Sequence, residues 1–404
     1  MIIGEFCDVF PPETDGVGVV CRRYTEGLDA LGNECWYIAP GGSKEAPVPF
    51  RTLLFHALRI PRMAYRFGIP FFDRSFIKKI DAVAFDVCHA HSPFLAGRIA
   101  RRVARRRGVP LVATFHSKYY DDFLKETHSR LLARIGVRCV VSFFNQCDAV
   151  YTVSRQASEV LRSYGYRGEI RVLPNGTEAW TPSGTAEEYL TSLLGPDYPK
   201  EPLFLFVGQQ NWKKNIRLIL DAFALYREKN GAGRLLLVGQ GPDLHAIRTY
   251  AGKIGVADAT FFAGQISDRD LLLRIFAAAD LFLFPSLYDT FALVLREAAI
   301  AGTPSVVAEG SCAAEDVEDG KNGFLCRPDD PEDLEAVIEK ALPLAREVGE
   351  TARATLPRPW PEILSEIESD YAALAEEKKN AFSRKSKREK RKKKKEENQR
   401  SIAS

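Results

Sequence analysis

The chain contains no run of 18 apolar residues, so no membrane-crossing helix is expected. Its eight cysteines, at positions 7, 21, 35, 88, 139, 147, 312 and 326, form no C-x-x-C pair and no regular spacing. That argues against a disulfide framework and a zinc site, and fits a reducing cytosol. A signal peptide needs an unbroken apolar stretch, which Glu5 and Asp8 interrupt in "MIIGEFCDVF". The dinucleotide fingerprint G-x-G-x-x-G is incomplete: Cys21 stands where its third glycine belongs after Gly16 and Gly18. The Lys/Arg-dominated tail 378–404 holds one aromatic, Phe382, so the base-stacking pattern of a nucleic-acid binder is missing. No nucleic-acid partner is expected.

What is present is the composition of a soluble globular protein, 46% hydrophobic and 27% charged, in 404 residues. That length exceeds one comfortable core and predicts two domains. The net charge of +3 conceals a basic first half, an acidic second half and a basic tail. Short β-rich runs alternate with helical patterns throughout, predicting parallel sheets built from βαβ units. Runs such as "LFLFVG" (203–208), "RLLLVG" (234–239) and "DLFLFP" (280–285) are apolar on both faces, as buried parallel strands must be. Most end in Gly or Pro, where the chain turns at the ligand-binding carboxyl edge. The predicted architecture is α/β: two Rossmann-like domains facing across a cleft. The boundaries are 1–178 for a first domain, 179–200 for a linker and 201–345 for a second domain. A last helix lies within 346–377, and a disordered polybasic tail fills 378–404.

The stretch "PSLYDTFALVLREAAIAGTP" (285–304) carries two acids eight positions apart, Asp289 and Glu297, around an apolar run. Thr290 or Asp289 can cap the helix, leaving the amides of Phe291, Ala292 and Leu293 as a phosphate seat. Glu297, two turns on, can accept two hydrogen bonds from a vicinal diol. The competing reading is an N-cap acid and a charge on a half-buried helix. In "VGQQNWKKNIRLIL" (207–220), Lys213 and Lys214 sit at a helix start, where cations are unfavourable unless they serve an anion. Gly16 and Gly18 permit close backbone approach to a ligand, or simply a turn. His91 and His116 end two strands and can bond hydroxyls or phosphates. Metal ligation is not expected of them, because no acid or cysteine is suitably spaced. "SDRD" (267–270) reads as a helix cap. Arg98, Arg101, Arg102 and Arg105 form one face of an arginine-rich helix, which suits an anionic membrane surface.

Together, "PSLYDTFALVLREAAIAGTPSVVAE", "VGQGP", "ADLFLFPS", "DGKNGFLCRPDD" and "VLPNG" resemble the retaining glycosyltransferases of family 4, which have the GT-B fold. The match runs from residue 1 to about 376, and it implies an acceptor-side first domain, a donor-binding second domain and a crossover helix over 346–377 that returns to the first. The resemblance implies that Asp289 contacts the transferred sugar, Glu297 the ribose and Lys214 the diphosphate. It also implies that Gly16–Val17–Gly18 approaches the donor phosphates and that His116 holds the sugar and assists transfer. The chain departs from the pattern at Gln209, Lys213, Asp289 and Ala292. The region "FDVCHAHSPFLAGRIARRVARRRGVPLVATFHSKYYDDF" is most similar to the branch that glucosylates diacylglycerol. The activity implied is hexosyl transfer, of glucose, from a nucleoside diphosphate sugar to a hydroxyl acceptor. It would proceed with retention, without a metal or other cofactor, in the cytoplasm or on the inner membrane face. A Rossmann oxidoreductase lacks its fingerprint here.

Overall fold

The computed structural model describes residues 1–10, 16–41, 48–59, 66–195, 198 and 200–402. These residues form two compact units. The first comprises Met1–Val153, Ala157–Pro174 and Trp360–Ser404, and the second Ser154–Gln156 and Asn175–Pro359.

The first unit begins with β1 (Ile2–Phe6), α1 (Gly16–Ala30), β2 (Glu34–Pro40) and β3 (Arg51–Phe55). A small antiparallel hairpin, β4 (Ala57–Arg59) and β5 (Arg66–Gly68), leads to α2 (Arg74–Ala82). Then come β6 (Val87–Ala90), α3 (Leu95–Arg107), β7 (Leu111–Phe115), α4 (Tyr119–Thr127) and α5 (Arg130–Phe144). The run closes with β8 (Ala149–Thr152), α6 (Arg155–Ser163) and β9 (Arg171–Val172). Seven parallel strands lie in the order β3-β2-β1-β6-β7-β8-β9. The order reverses between β1 and β6, which is where a doubly wound sheet opens a ligand crevice at its carboxyl edge.

The second unit has α7 (Glu187–Leu194), β10 (Leu203–Val207), α8 (Ile216–Asn230), β11 (Arg234–Val238) and α9 (Leu244–Lys253). It continues with β12 (Thr260–Gly264), α10 (Arg269–Ala278), β13 (Leu281–Phe284), α11 (Leu293–Ala301) and β14 (Ser305–Ala308). It ends with β15 (Phe324–Cys326), α12 (Pro331–Ala341) and α13 (Ala345–Thr355). Its parallel sheet runs β12-β11-β10-β13-β14-β15, reversing between β10 and β13. All five residues of β10 and of β7 are buried, as strands covered on both faces require.

The last helix, α14 (Trp360–Ile402), belongs to the first unit. Trp360, Ile363, Leu364, Ile367 and Tyr371 recur at helical spacing and enter the core beside Ile3, Val20, Tyr24 and Leu28. Gly27 of α1 makes room for this, since a Cβ there would sit 2.1 Å from Leu364 Cδ1.

Several boundaries differ from the sequence reading. The segment 179–200 is not a bare linker: Leu190 and Leu194 of α7 are in the second core. Residues 346–359 pack with the second unit, so the return to the first starts only at Trp360. The backbone of the basic segment expected to be disordered is helical to Ile402, consistent with the high helix propensity of Lys, Arg and Glu. Strand β3 carries little apolar signal in the sequence, because it is a half-covered edge strand with only Leu53 and Phe55 buried.

Two glycines let the loops after β10 and β11 touch backbone to backbone. A Cβ on Gly239, whose φ is +126°, would lie 2.0 Å from the Gly208 carbonyl oxygen, and one on Gly241 would lie 2.3 Å from that of Gln210. Gly239→Ala combines a strained left-handed residue with a backbone clash. It should cost about 2 kcal/mol or more in chemical denaturation, and an unchanged midpoint would contradict this packing.

Candidate functional site

In the second unit, the loops after β10 and β13 are tied into one edge by polar side chains. Asn211 Oδ1 accepts the Lys213 amide at 3.0 Å, and Asp243 Oδ2 accepts the Trp212 amide at 2.9 Å. Asn215 adopts the left-handed conformation, with φ 61°, and its Nδ2 donates to the Pro285 and Pro328 carbonyls at 3.2 and 2.7 Å. Three loops are thereby fixed around Lys214. Its ammonium pairs with Asp289 Oδ1, while Asp289 Oδ2 accepts Ser286 Oγ at 2.7 Å. The Tyr288 ring lies 4.6 Å from Lys213 Nζ and 5.7 Å from Lys214 Nζ, within cation–π reach. The lysines are thus not a merely solvated pair.

The helix mouth differs from expectation. Neither Asp289 nor Thr290 caps α11: its N-cap is Ala292, whose side chain offers no acceptor. Asp289 is drawn away to Lys214, and the Thr290 carbonyl accepts Ser154 Oγ at 2.7 Å. The Leu293 amide is used locally by the Phe291 carbonyl at 3.0 Å. The amides of Phe291 and Ala292 make no hydrogen bond among the described residues, so the anion seat is narrower than three amides. Glu297 is mostly buried and pairs with Arg269 Nη1 at 3.0 Å. Burial pushes its carboxyl up, against the opposing pull of Arg269. The structure brings Lys214 and Asp289 into contact but gives Glu297 a different partner. Gln209 is exposed, whereas its neighbour Gln210 is fully buried, with Nε2 on the Val238 carbonyl at 3.4 Å and an Oε1 lacking a partner among the described residues. "SDRD" is a cap: Asp268 Oδ1 accepts the Asp270 and Leu271 amides at 3.0 and 3.2 Å.

In the first unit, α1 begins at Gly16, so Gly16, Val17 and Gly18 form its first turn; residues 11–15 of that loop lie outside the described residues. A Cβ at Gly16 would meet nothing within 4 Å, so packing does not demand glycine there. His91 and His116 follow β6 and β7 at the carboxyl edge and meet, His91 Nδ1 to His116 Nε2 at 3.2 Å. Behind them is a residue that motif and spacing did not single out. Strand register sets Glu5 opposite His89, and Glu5 Oε2 lies 2.8 Å from His91 Nε2 and 3.3 Å from His89 Nδ1. Tyr371 of α14 donates to Glu5 Oε1 at 3.3 Å and also bonds His89 Nδ1. His89 Nε2 is 2.7 Å from Thr114 Oγ1.

This corrects the expectation that no acid stands near the histidines. Glu5 is 86 positions from His91 in sequence but adjacent across the β1–β6 pair. Among the described residues, Glu5, His89 and His91 form the cluster of metal-ligand types, with ligating atoms within 4.8 Å of one another. Those atoms are occupied by the hydrogen bonds just given. The available signal was a lone acid inside an apolar strand, which burial makes costly unless partnered. The Glu5 carboxyl is held down at about 2 by His89 and His91 despite the burial that opposes it. Burial pushes His91 down to about 4 and His116 well below the usual imidazole range.

The α3 arginines do not form one open face. Arg102 and Arg106 pair with Asp81 of α2, and Arg101 and Arg105 both donate to Gln146 Oε1 at 2.9 Å. Arg98 and Arg101 instead line a cavity of about 480 Å³ with Phe94, Phe123, Ile135 and Arg138. On α5, Leu131, Leu132 and Ile135 are 67%, 51% and 46% exposed. Arg130, Arg134 and Arg138 are exposed beside them at i, i+4 spacing. This amphipathic face was missed because its buried stripe alone accounts for the apolar pattern.

Two family models match the chain: "Glycosyltransferase Family 4" over residues 14–179 and "Glycosyl transferases group 1" over residues 196–354. An alpha-monoglucosyldiacylglycerol synthase of Streptococcus pneumoniae is 27% identical over 328 residues, covering 77% of this chain and 71% of its own. The enzyme of that name from Acholeplasma laidlawii is 26% identical over 338 residues, covering 80% and 84%. Among solved structures, a sucrose-phosphate synthase of Thermosynechococcus elongatus superposes with a TM-score of 0.76 at 23% identity, covering 92% of this chain and 98% of that one. That likeness shows the fold.

The depressed pKa values link folding to acid. Unfolded histidine takes up a proton that folded His91 refuses, so stability falls as pH drops from about 6.5 to about 4. Glu5 adds a second loss as pH falls from about 4.5 to about 2. Urea midpoints measured from pH 7 to pH 3 should decline through both windows, and a flat series would contradict the buried network.

Proposed function

Because the chain belongs to glycosyltransferase family 4 and has the two Rossmann-like units of the GT-B fold, we propose that it transfers glucose from a nucleoside diphosphate glucose to diacylglycerol at a membrane surface. Transfer proceeds with retention and needs no metal ion. The observation that carries the donor half is the Lys214–Asp289 pair at the switch point of the second sheet. A diphosphate takes the Lys214 ammonium from Asp289 and accepts from the Phe291 and Ala292 amides. Asp289 is thereby released toward the sugar hydroxyls, with Ser286 still holding one oxygen. Glu297 exchanges Arg269 for the ribose diol. The leaving diphosphate is stabilised by a cation and aligned amides, the role a metal plays elsewhere. His116 supports the transferred sugar. Gly16, Val17 and Gly18, at the start of α1, approach the donor phosphates.

The lipid half is supported by the names of the two synthases and by the exposed face of α5. Leucine and isoleucine with interleaved arginines suit the interface of an anionic leaflet. The cavity among α3, α4 and α5 has apolar walls and the cations Arg98, Arg101 and Arg138.

Lys214→Ala should lower kcat about 100-fold with the fold intact, the order seen for loss of one transition-state donor. Glu297→Ala should raise the donor KM. Wild-type turnover in either variant, with UDP-glucose and diacylglycerol vesicles, would refute the donor assignment. Activity should persist in chelator, and a strict magnesium requirement would overturn the metal-free reading. A Leu131→Glu, Ile135→Glu double variant should bind phosphatidylglycerol vesicles on the order of tenfold more weakly, since two apolar side chains leave the interface. Equal flotation with the wild type would remove α5 from the membrane contact.

A further inference from the structure

We propose that Glu5 is a positioning residue that acts through His91 to set the tautomer of His116, with its proton on Nε2 and Nδ1 as the hydrogen-bond acceptor. The inference rests on the reading of His116 as a group that supports the transferred sugar.

An ionised carboxylate only accepts, so the contact of 2.8 Å between Glu5 Oε2 and His91 Nε2 puts the His91 proton on Nε2. A neutral imidazole carries one proton, so His91 Nδ1 must be the acceptor. The contact of 3.2 Å to His116 Nε2 then requires that nitrogen to donate. His116 is left with an acceptor at Nδ1, the tautomer suited to receiving a hydroxyl proton rather than giving one. One buried charge thereby acts on a ring it does not touch, through a single intervening imidazole. The carboxylate–histidine pair is the arrangement by which acids fix imidazole tautomers elsewhere.

Facing the cluster, among the described residues, are His89 from β6, Tyr24 and Cys21 from α1, Cys35 from β2, Tyr151 from β8 and Tyr371 from α14. Burial pushes the phenols of Tyr24, Tyr151 and Tyr371 and the thiols of Cys21 and Cys35 up, so these stay protonated near neutrality. Tyr371 donates to the other carboxylate oxygen, Oε1, while His89 approaches the Oε2 that bonds His91. Tyr371 lies 366 positions from Glu5 in sequence. The second oxygen of the carboxylate is therefore held by the far end of the chain, through the packing of α14 in the first unit.

The test reads the tautomer directly. Nitrogen-15 histidine spectra of the whole wild-type protein should show one ring, identified by its disappearance in His116→Ala, with a protonated Nε2 and an unprotonated Nδ1 at pH 7. Glu5→Gln should mix or reverse that signature, lower kcat about tenfold with donor KM within twofold, and move the acid limb of the kcat profile. Glu5→Asp should recover part of the rate. His91→Phe breaks the same chain and serves if Glu5→Gln fails to fold. A wild-type His116 protonated on Nδ1 would overturn the proposal. So would a folded Glu5→Gln protein with the wild-type signature and rate, or a stoichiometric divalent ion bound to the purified protein. Wild-type transfer by His116→Ala would instead sink the sugar-supporting role of His116, while the spectra would still decide whether Glu5 sets its tautomer.

Discussion

Both sheets depend on parallel strands that are apolar on both faces. Such strands leave no room for chemistry along their length, so polar side chains are pushed to the loops at the carboxyl edge. Where the strand order reverses, adjacent loops diverge and leave a crevice. In the second unit that point lies between β10 and β13, whose following loops carry Lys214 and Asp289. In the first it lies between β1 and β6, and the histidines stand at that edge. The site residues are consequences of covering a sheet on two sides.

Glu5 is the exception that gives the first unit its character. A carboxylate inside a core strand persists only because two histidines and a tyrosine surround it. The same bonds couple the last helix to the first strand, so the seating of α14 and the state of the histidines are one arrangement. The second unit handles charge differently. Lys214 with Asp289 and Glu297 with Arg269 are partly buried one-to-one pairs in the loops and helices at the sheet edge, outside the strands.

Much of this was legible in the residues. The βαβ rhythm, the doubly wound sheets and the cap at "SDRD" arise from local pattern. The family is evident from "PSLYDTFALVLREAAIAGTP" and its companions, and the matches over 14–179 and 196–354 agree. Less legible were features made by partners distant in sequence. Asp289 looked like a helix cap because its ion-pair partner lies 75 residues earlier, and no local rule anticipates that competition. The α3 arginines looked like a free basic face because Asp81 and Gln146, which neutralise or occupy them, lie outside that helix.

The amino-acid sequence by itself determined the fold class and the positions of Lys214, His91, His116 and Asp289 in the segments that follow strands. These are properties of periodicity and residue type within a few turns of chain. Only the tertiary structure decided which of those groups are already paired, how wide the amide seat at α11 is, and that Glu5 stands behind the histidines. The physical reason is register: pairing β1 with β6 brings together residues 86 positions apart, and α14 adds a tyrosine from the far end. Local sequence carries no signal for such neighbours beyond the anomaly of a buried acid awaiting a partner.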